Sequence, residues 1–269
     1  MKIILSRKGF DSANGEHPNP ILPDGTLLSL PIPDPEKGNN TFGSLRWNDH
    51  SYFDISQSLK PSTKLQADSL CHLDPDLRKE VRNRVNGWQP AFGQTSSALK
   101  HLRNHGVSIG DLFLFFGWFR ETEIVNDQLV YKKGAPDVHV IYGYMQIGNI
   151  VEEESQIQPW LKDHPHTGYN KAWAERTNAI YLPKKSLSFI SNMKGCDVLS
   201  YRKDRVLTKP GMSRCYWDLP DCFKSVKITY HPHPWQDGCF KSAGRGQEFV
   251  MDATSEILEW AKHIIQCSN

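Results

Sequence analysis

The sequence predicts an α+β fold, and three observations support this prediction. Helical patterns lie in the first part of the chain and at its carboxyl end, the stretch between them is rich in β-branched and aromatic residues, and no internal repeat is visible. Helices and strands that occur in separate runs are typical of α+β proteins. We expect one composite domain over 1–269, with a loop- and helix-rich part at 1–105 and a β-rich part with a terminal helix at 106–269.

The chain opens with a predicted strand and a long loop. An apolar, β-branched run at 2–6 indicates a buried strand that ends at Arg7 and Lys8. The stretch at 11–40 is rich in Pro, Gly and Asn, which favour turns and irregular backbone. A loop of this length inside a domain is typical of part of a functional site.

Three segments have the period of a helix. In 74–85, Asp74 or Asp76 can cap a helix whose apolar residues recur at four-residue steps. The segment 96–107 repeats this pattern with a serine cap and a glycine stop. The segment 253–265 carries one apolar face and predicts the terminal helix.

The middle of the chain has the pattern of strands. Long runs of Phe, Val, Ile and Tyr predict strands in 108–125 and 137–152, and shorter runs predict strands at 179–183 and 187–190. We expect a further hairpin within 197–220. These segments form the predicted β-rich centre.

Composition narrows the class of protein. The net charge of +2 is too small for a protein that wraps long duplex DNA through many phosphate contacts. No stretch approaches the roughly 20 apolar residues that span a bilayer, and the amino-terminal apolar run is too short for a signal peptide. The six cysteines form no CxxC pair. We therefore expect a soluble, cytoplasmic protein with free thiols and no membrane partner.

The segment CHLDPDL supports two interpretations. Asp74 and Asp76 precede the predicted helix, where carboxylates accept hydrogen bonds from free backbone N–H groups. His72 stands beside both acids, and a histidine with carboxylates can bind a metal or relay a proton. The sequence alone leaves both interpretations open.

Two HPH tripeptides form a second candidate for a metal site. The first contains His164 and His166, and the second contains His231 and His233. Neutral imidazoles are common ligands of transition metals, and a proline between them stiffens their spacing. Exposed loops can also contain this tripeptide by composition alone.

The strand FLFFGWFRE carries a candidate surface for a base. Alternation along a strand places Phe116, Trp118 and Arg120 on one face. This face can belong to the core, or Trp118 and Arg120 can stack on a base and meet its phosphate. The Gly-Asp turn before this strand and the later Gly143 and Gly148 resemble the pattern of PUA-like and EVE-like barrels, which hold flipped or modified bases.

A last candidate lies in GRGQEFV near the carboxyl end. Arg245 lies between two glycines, and Gln247 and Glu248 follow the second one. A Gln-Glu pair near a strand can serve glycosyl transfer. A solvated turn that leads into the next strand explains the same residues.

Several segments together resemble the nucleotide modification associated domain family of the third type. They are MKIILSRKGFDS, PNPILPDGTLLSLPIPD, CHLDPDL, AFGQTSSALKHLRNHGVSIGDLFLFFGWF and NAIYLP, in the order of the family. The resemblance implies a role in modification of nucleic-acid bases in bacteria and their phages, including antiphage pathways, without naming a reaction. The residues that it favours are Arg7, Lys8, Asp11, Asp24, His72, Asp74, Asp76, Gln94, His164, His166 and Asn178.

These observations lead to one main hypothesis and two alternatives. The main hypothesis is a transferase or hydrolase that acts on a nucleotide or base, with Zn²⁺ or Mg²⁺ as a candidate cofactor. Asp74 or Asp76 is the general base or metal ligand, and His72 is the proton-handling partner. The alternatives are a non-catalytic reader of a modified base that uses Trp118 and Arg120, and a sensor of a soluble nucleotide.

Overall fold

A curled sheet of nine strands forms the centre of the molecule, so the predicted α+β class with a β-rich centre is confirmed. The computed structural model describes residues 1–230, 233–243 and 247–266. His231 and Arg245, named above as candidates, lie outside the described residues.

The described chain contains the following elements. The strands are β1 (Lys2–Arg7), β2 (Asn19–Ile21), β3 (Ile32–Pro33), β4 (Asn40–Thr41), β5 (Arg46–Trp47), β6 (His50–Ser51), β7 (Leu70–His72), β8 (Phe92–Thr95), β9 (Leu112–Val125), β10 (Gln128–Tyr131), β11 (Val138–Val151), β12 (Asn178–Pro183), β13 (Cys196–Val198), β14 (Tyr216–Trp217), β15 (Trp235–Gln236), β16 (Cys239–Lys241) and β17 (Glu248–Asp252). The α-helices are α1 (Tyr52–Leu59), α2 (Ser96–Asn104), α3 (Asn170–Ala174) and α4 (Ser255–Gln266). Short 3₁₀ turns cover Glu154–Gln156, Pro159–Leu161, Pro165–Gly168, Lys203–Arg205 and Asp221–Ser225.

The nine-stranded sheet is mixed and open at both ends. Its path runs β17-β1-β9-β11-β12-β8, with β2 and β10 on β9 and β13 on β11. Strand β1 is parallel to β9, whereas β17 and β11 are antiparallel to their neighbours in the path. Because the described path ends at β17 and β8 and does not close, the sheet forms a half-barrel. The two strands at the ends of this path, β17 and β8, both carry side chains that lie at the candidate site.

Each face of the sheet has its own core, as the alternation along β1 shows. Ile3 and Leu5 face a cluster that includes the buried side of α4. Ile4 faces a cluster that includes the buried side of α2. The predicted strands that form this sheet are confirmed, and so are the predicted helices at 96–107 and 253–265. Each of these elements carries apolar side chains that the cores bury.

A third core surrounds α1, a helix that sequence reasoning did not predict. Ser51 caps α1, and the side chain of Asp54 accepts from the backbone N–H of Ser51 in a capping box. Tyr52, Ile55 and Leu59 fill this core together with residues of the long first loop. The Ser-x-x-Asp signal before an apolar run was present in the sequence and could have identified the helix.

The helix predicted at 74–85 does not form. Leu77 is buried with the sheet core, Val81 is buried with the α1 core, and Val85 is exposed, so these apolar residues do not share one helical face. The backbone of Asp76 pairs instead with Ala91 through two hydrogen bonds of 2.9 and 3.1 Å. Tertiary pairing therefore overrides a helical pattern that was only local.

Two shorter predictions have different outcomes. Residues 187–190 form no strand, although Leu187 and Ile190 are buried in the core. Of the hairpin expected within 197–220, one antiparallel bridge forms between Thr208 and Trp217, while β13 pairs with β11 and β14 also pairs with β16.

The described helices are short. The longest, α4, has 12 residues, and none in the described ranges has the length and apolar character that a membrane crossing requires.

Candidate metal site in the central cleft

A cleft of about 210 Å³ lies where the first loop, β7, β8 and the Pro165–Gly168 turn meet. Its polar lining brings together residues from distant parts of the sequence: Arg7, Lys8, Asp11, Asp34, His72, Asp74, Gln94, His166, Tyr169 and Gln247. Eight of these were singled out from the sequence as candidate site residues, Gln247 among them. These polar residues therefore lie close together in space, which the sequence alone could not establish.

Asp74 lies at the centre of the polar groups in the cleft. Its Oδ1 accepts the backbone N–H of Gly93 at 2.7 Å and lies 3.2 Å from Nε2 of His164. Its Oδ2 lies 4.0 Å from Nε2 of His72 and 3.8 Å from Nε2 of His166. One carboxylate thus faces three imidazoles.

The pairing of β7 holds His72 in place. Its backbone is paired with Ile32 of β3, which also brings the following Asp34 to the ring. Nδ1 lies 3.3 Å from the hydroxyl of Tyr169 and 3.6 Å from Oδ2 of Asp34. A proton on Nδ1 therefore faces oxygen atoms, and this tautomer leaves the lone pair of Nε2 directed towards Asp74.

Asn178 orients His166 in the same sense. Its Oδ1 accepts Nδ1–H of His166 at 2.7 Å, and its Nδ2 donates to the backbone oxygen of His166 at 2.9 Å. Gly93 packs directly against the ring, since a Cβ at this position would lie 2.2 Å from Cδ2 of His166. The buried ring has one position, with Nε2 towards Asp74.

His72, Asp74 and His166 fit a metal ion. One ligand atom from each lies within 4.8 Å of the others. Two imidazoles whose Nδ1 atoms have oxygen partners, together with one carboxylate, are typical donors for a transition metal such as Zn²⁺ or Fe²⁺. His164 does not belong to this group of three: its Nδ1 accepts from the backbone N–H of His166 at 3.3 Å, and its Nε2 faces Asp74.

The protonation states suit such a site. Burial lowers the pKa of His166 to about 3 and also lowers the pKa of His72, and the Asp74 carboxylate only partly offsets this effect. Burial by itself would raise the pKa of Asp74, but the neighbouring imidazoles outweigh it and hold that pKa at about 2. At neutral pH the group therefore consists of neutral imidazoles and an ionised carboxylate, which is the form that binds cations.

A buried ion pair lies at the side of the cleft where β1 ends and β17 begins. Nζ of Lys8 contacts Oε1 of Glu248 at 2.7 Å and lies 4.6 Å from the centre of the Phe92 ring. Nε2 of Gln94 donates to the same Oε1 at 2.5 Å. Glu248 is fully buried, and its Oε2 has no hydrogen-bond partner among the described residues. The Gln-Glu pair noted in the sequence thus brings its glutamate next to the cleft.

Two acidic candidates, Asp76 and Asp24, lie outside the cleft lining. Asp76 accepts two hydrogen bonds from Arg84 at 2.6 and 2.7 Å, and this bridge closes the loop that replaces the predicted helix. Asp24 is exposed and accepts from the backbone N–H of Thr26 at a separate groove. Asp76 and Asp24 therefore have structural roles in turns.

The aromatic strand contributes nothing to the cleft. The guanidinium of Arg214 lies 4.3 Å from the centre of the Trp118 ring, and Nε of Arg120 donates to Asp137 at 2.7 Å. Both side chains are thus engaged within the protein.

Asp34 and Tyr169 are site residues that sequence reasoning missed. Asp34 stands in a Pro-Asp-Pro context and Tyr169 follows the first HPH tripeptide by three residues, so each was close to a recognised signal. Neither has a spacing that indicates its contact with His72, because the pairing of β7 with β3 brings Asp34 to the ring and the Pro165–Gly168 turn leads the chain to Tyr169.

The comparisons with known proteins agree with the pattern of the sequence. The family model described as nucleotide modification associated domain 3 matches residues 2–252. No curated protein and no solved structure matches the chain.

Proposed function

This chain belongs to the nucleotide modification associated domain 3 family, and we propose that it is a metal-dependent enzyme, a transferase or hydrolase, that acts on a nucleotide or its base. The observation that carries this proposal is the convergence of His72, Asp74 and His166 on one point of the cleft. The family supports the substrate class, and the convergence supports the chemistry.

The cleft has the groups that a nucleotide requires. Arg7 lines it and can donate to a phosphate through its fork of N–H groups. Lys8 also lines the cleft, where its Nζ contacts Glu248. Gln94 and the exposed Gln247 supply amides that can bind the edge of a base.

Some residues of the chain would bind the metal ion, and others would orient its ligands. Asp74, His72 and His166 would hold the ion, with Asp34 and Asn178 keeping the two imidazoles in register. A bound ion of this class polarises a substrate oxygen or makes water a nucleophile at neutral pH.

The proposal also includes the cellular compartment in which the protein acts. All five cysteines in the described part of the chain are free thiols, which suits a reducing compartment such as the cytoplasm. We assign the activity to a pathway of DNA modification or antiphage defence, as the main hypothesis from the sequence does.

Metal content is the first test. The protein as purified should carry about one Zn²⁺ or Fe²⁺ per chain by elemental analysis, and His72→Ala or His166→Ala should lose most of it, since a site with two remaining ligands binds weakly. His50→Ala is the matched control, because His50 is exposed and lies away from the cleft. A wild-type protein that fails to bind either ion in a titration would refute the proposal.

Turnover is the second test. The metal-loaded protein and a chelator-treated sample should be incubated with a panel of nucleotides and oligonucleotides, and the products read by mass spectrometry. We expect a mass change in one substrate class that disappears with chelator and in Asp74→Ala. Tight binding without any product would instead identify a non-catalytic reader or a nucleotide sensor.

A further inference from the structure

A basic groove of about 380 Å³ lies beside the cleft and has no part in the metal site. We call it the lysine groove, and define it by five basic residues and one aromatic residue of its lining: Arg78, Lys79, Trp88, Lys184, Lys185 and Lys194.

The lysine groove concentrates the positive charge of the molecule. Its lining contains five basic and two acidic residues, Glu80 and Asp197, so its net formal charge is +3. The whole chain has a net charge of only +2, which leaves the rest of the protein slightly acidic. An anion is therefore attracted to this groove rather than to the surface at large.

Three of its cations are available to a ligand. Arg78 contacts Glu80 at 3.1 Å and Lys194 contacts Asp197 at 3.2 Å. Within the described ranges, Lys79, Lys184 and Lys185 make no ion pair with a carboxylate. Small anions from the solution surround lysines that have no partner in the protein, and a polyanion can displace these anions when it binds.

The wall that carries Lys184 and Lys185 has a fixed backbone. Gly195 N–H donates to the oxygen of Lys185 at 3.2 Å, and the N–H of Lys184 donates to Gln146 at 2.9 Å. A Cβ on Gly195 would lie only 2.0 Å from the oxygen of Lys184, so the two chain segments meet as closely as glycine permits. This wall projects its lysines from paired backbone rather than from a free loop.

Two chain segments, 74–78 and 90–94, each line the cleft at one end and the lysine groove at the other. Asp74 lines the cleft and Arg78 lines the groove, and the backbone of Asp76 between them pairs with Ala91. Four residues of extended chain span at most about 14 Å. A ligand that occupies the cleft and continues for a few units therefore reaches the groove.

We infer that the lysine groove binds the sugar-phosphate backbone of a single-stranded nucleic acid, next to the nucleotide that enters the cleft. A positive groove with an aromatic side chain is typical of single-strand binding, because bases stack on the ring while lysines track phosphates. The guanidinium of Arg84 lies 4.3 Å from the centre of the Trp88 ring, so a base would stack on the opposite face of this ring. His72 and His166 are buried and the side chain of Asp74 is 7% exposed, and a base in a duplex must leave its stack to reach such groups. That the strand delivers the reacting nucleotide rests on the proposed function, whereas strand binding itself does not.

A charge reversal tests the inference. A Lys184→Glu, Lys185→Glu double variant should bind a labelled single-stranded 12-nucleotide DNA or RNA at least tenfold more weakly than wild type in fluorescence anisotropy. Its salt dependence, plotted as log K against log salt, should flatten by about 1.4 because each lost phosphate contact removes about 0.7. Trp88→Ala should weaken binding about tenfold and leave the slope unchanged.

The matched control is a Lys100→Glu, Lys227→Glu double variant, which makes the same change in net charge at two exposed lysines outside the groove. It should bind within twofold of wild type. Equal losses in the two double variants would overturn the inference, and so would wild-type binding of duplex as tight as that of the single strand.

The result also separates this inference from the proposed function. His72→Ala should lose metal but keep its affinity for the oligonucleotide. Groove variants that bind normally while the metal site is intact would refute the inference alone, and a wild-type protein that binds strands through the groove but takes up no metal in a titration would refute the proposed function alone.

Discussion

Asp74 is the side chain on which the candidate site depends, because the neighbouring imidazoles all face it. The sequence allowed two roles for this aspartate, a helix cap and a ligand. In the described chain no helix begins at Asp74, and its Oδ1 accepts an N–H from strand β8 instead. The cap interpretation is wrong, and the ligand role stays a prediction.

Asn178 should control the affinity for metal without touching the ion. In Asn178→Ala, Nδ1 of His166 loses its oxygen partner, so the ring is no longer held with Nε2 towards Asp74. We expect metal affinity to fall about 10- to 100-fold, as for other groups that orient ligands. A competition titration against a chelator measures it.

Two further variants make this test specific. Asn178→Asp keeps the oxygen acceptor and should retain most of the affinity. Asn83→Ala, at an exposed position away from the cleft, should have no effect. Unchanged affinity in Asn178→Ala would contradict the positioning role.

His139 should make the protein less stable in mild acid. It is buried, its Nδ1 accepts the indole N–H of Trp217 at 2.9 Å, and burial lowers its pKa to about 3, with Arg7 and Arg214 adding to the effect. The unfolded chain binds a proton below about pH 6.5 and the folded chain does not, so stability falls as pH falls through this window. Between pH 7 and pH 5 this residue should remove about 2 kcal/mol.

The pH effect can be isolated with His139→Gln, which keeps an acceptor for Trp217 and does not titrate. Urea unfolding at pH 7 and at pH 5 should show that the variant loses about 2 kcal/mol less than wild type over this interval. An equal loss in both proteins would show that His139 is not the group responsible.

At the scale of elements, strand β8 and the Pro165–Gly168 turn form one unit. Gly93 of β8 lies under the ring of His166, and an added methyl group would meet that ring at 2.2 Å. We expect Gly93→Ala to displace the imidazole, to weaken metal binding by at least tenfold, and to reduce the free energy of unfolding by about 1–3 kcal/mol, as overpacking does. Metal titration and urea unfolding measure the two effects.

Gly168→Ala is the control for this variant, because it lies in the same turn and a Cβ there meets nothing within 4 Å. It should bind metal as wild type does. If Gly93→Ala also bound metal normally, the ring of His166 would have room to move, and the fixed geometry of the site would be disproved.

Helices and strands could be predicted from the sequence where the local apolar pattern matches the residues that the core buries. Strand β9 is buried over 112–117 and β11 over 139–147, with their two faces in the two sheet cores, and α4 packs its apolar face on one of these cores. The predicted helix at 74–85 failed because Leu77 and Val81 enter different cores. A helical period cannot reveal which core receives each residue.

At the scale of the whole molecule, metal binding should stabilise the fold. The donors come from β7, the segment after it and the Pro165–Gly168 turn, so the site forms only when these parts of the chain are together. A free metal concentration of 100 Kd should add about 2.7 kcal/mol, which corresponds to a rise in Tm of roughly 5–10 °C for a chain of this size.

Thermal unfolding with metal and with chelator measures this shift. His72→Ala should show no difference between the two conditions, whereas His50→Ala should behave as wild type does. A shift that persists in His72→Ala would place the bound metal elsewhere.

The sequence by itself determined the class of fold, the long strands, the terminal helix and most of the side chains that meet in the cleft. These follow from local periodicity and from residue types whose chemistry does not depend on context. Only the tertiary structure decided which polar residues converge: it joined Asp34 and Tyr169 to His72, and moved Asp76 into a bridge with Arg84. The physical reason is that pairing between distant strands sets these contacts, and no spacing along the chain encodes that pairing.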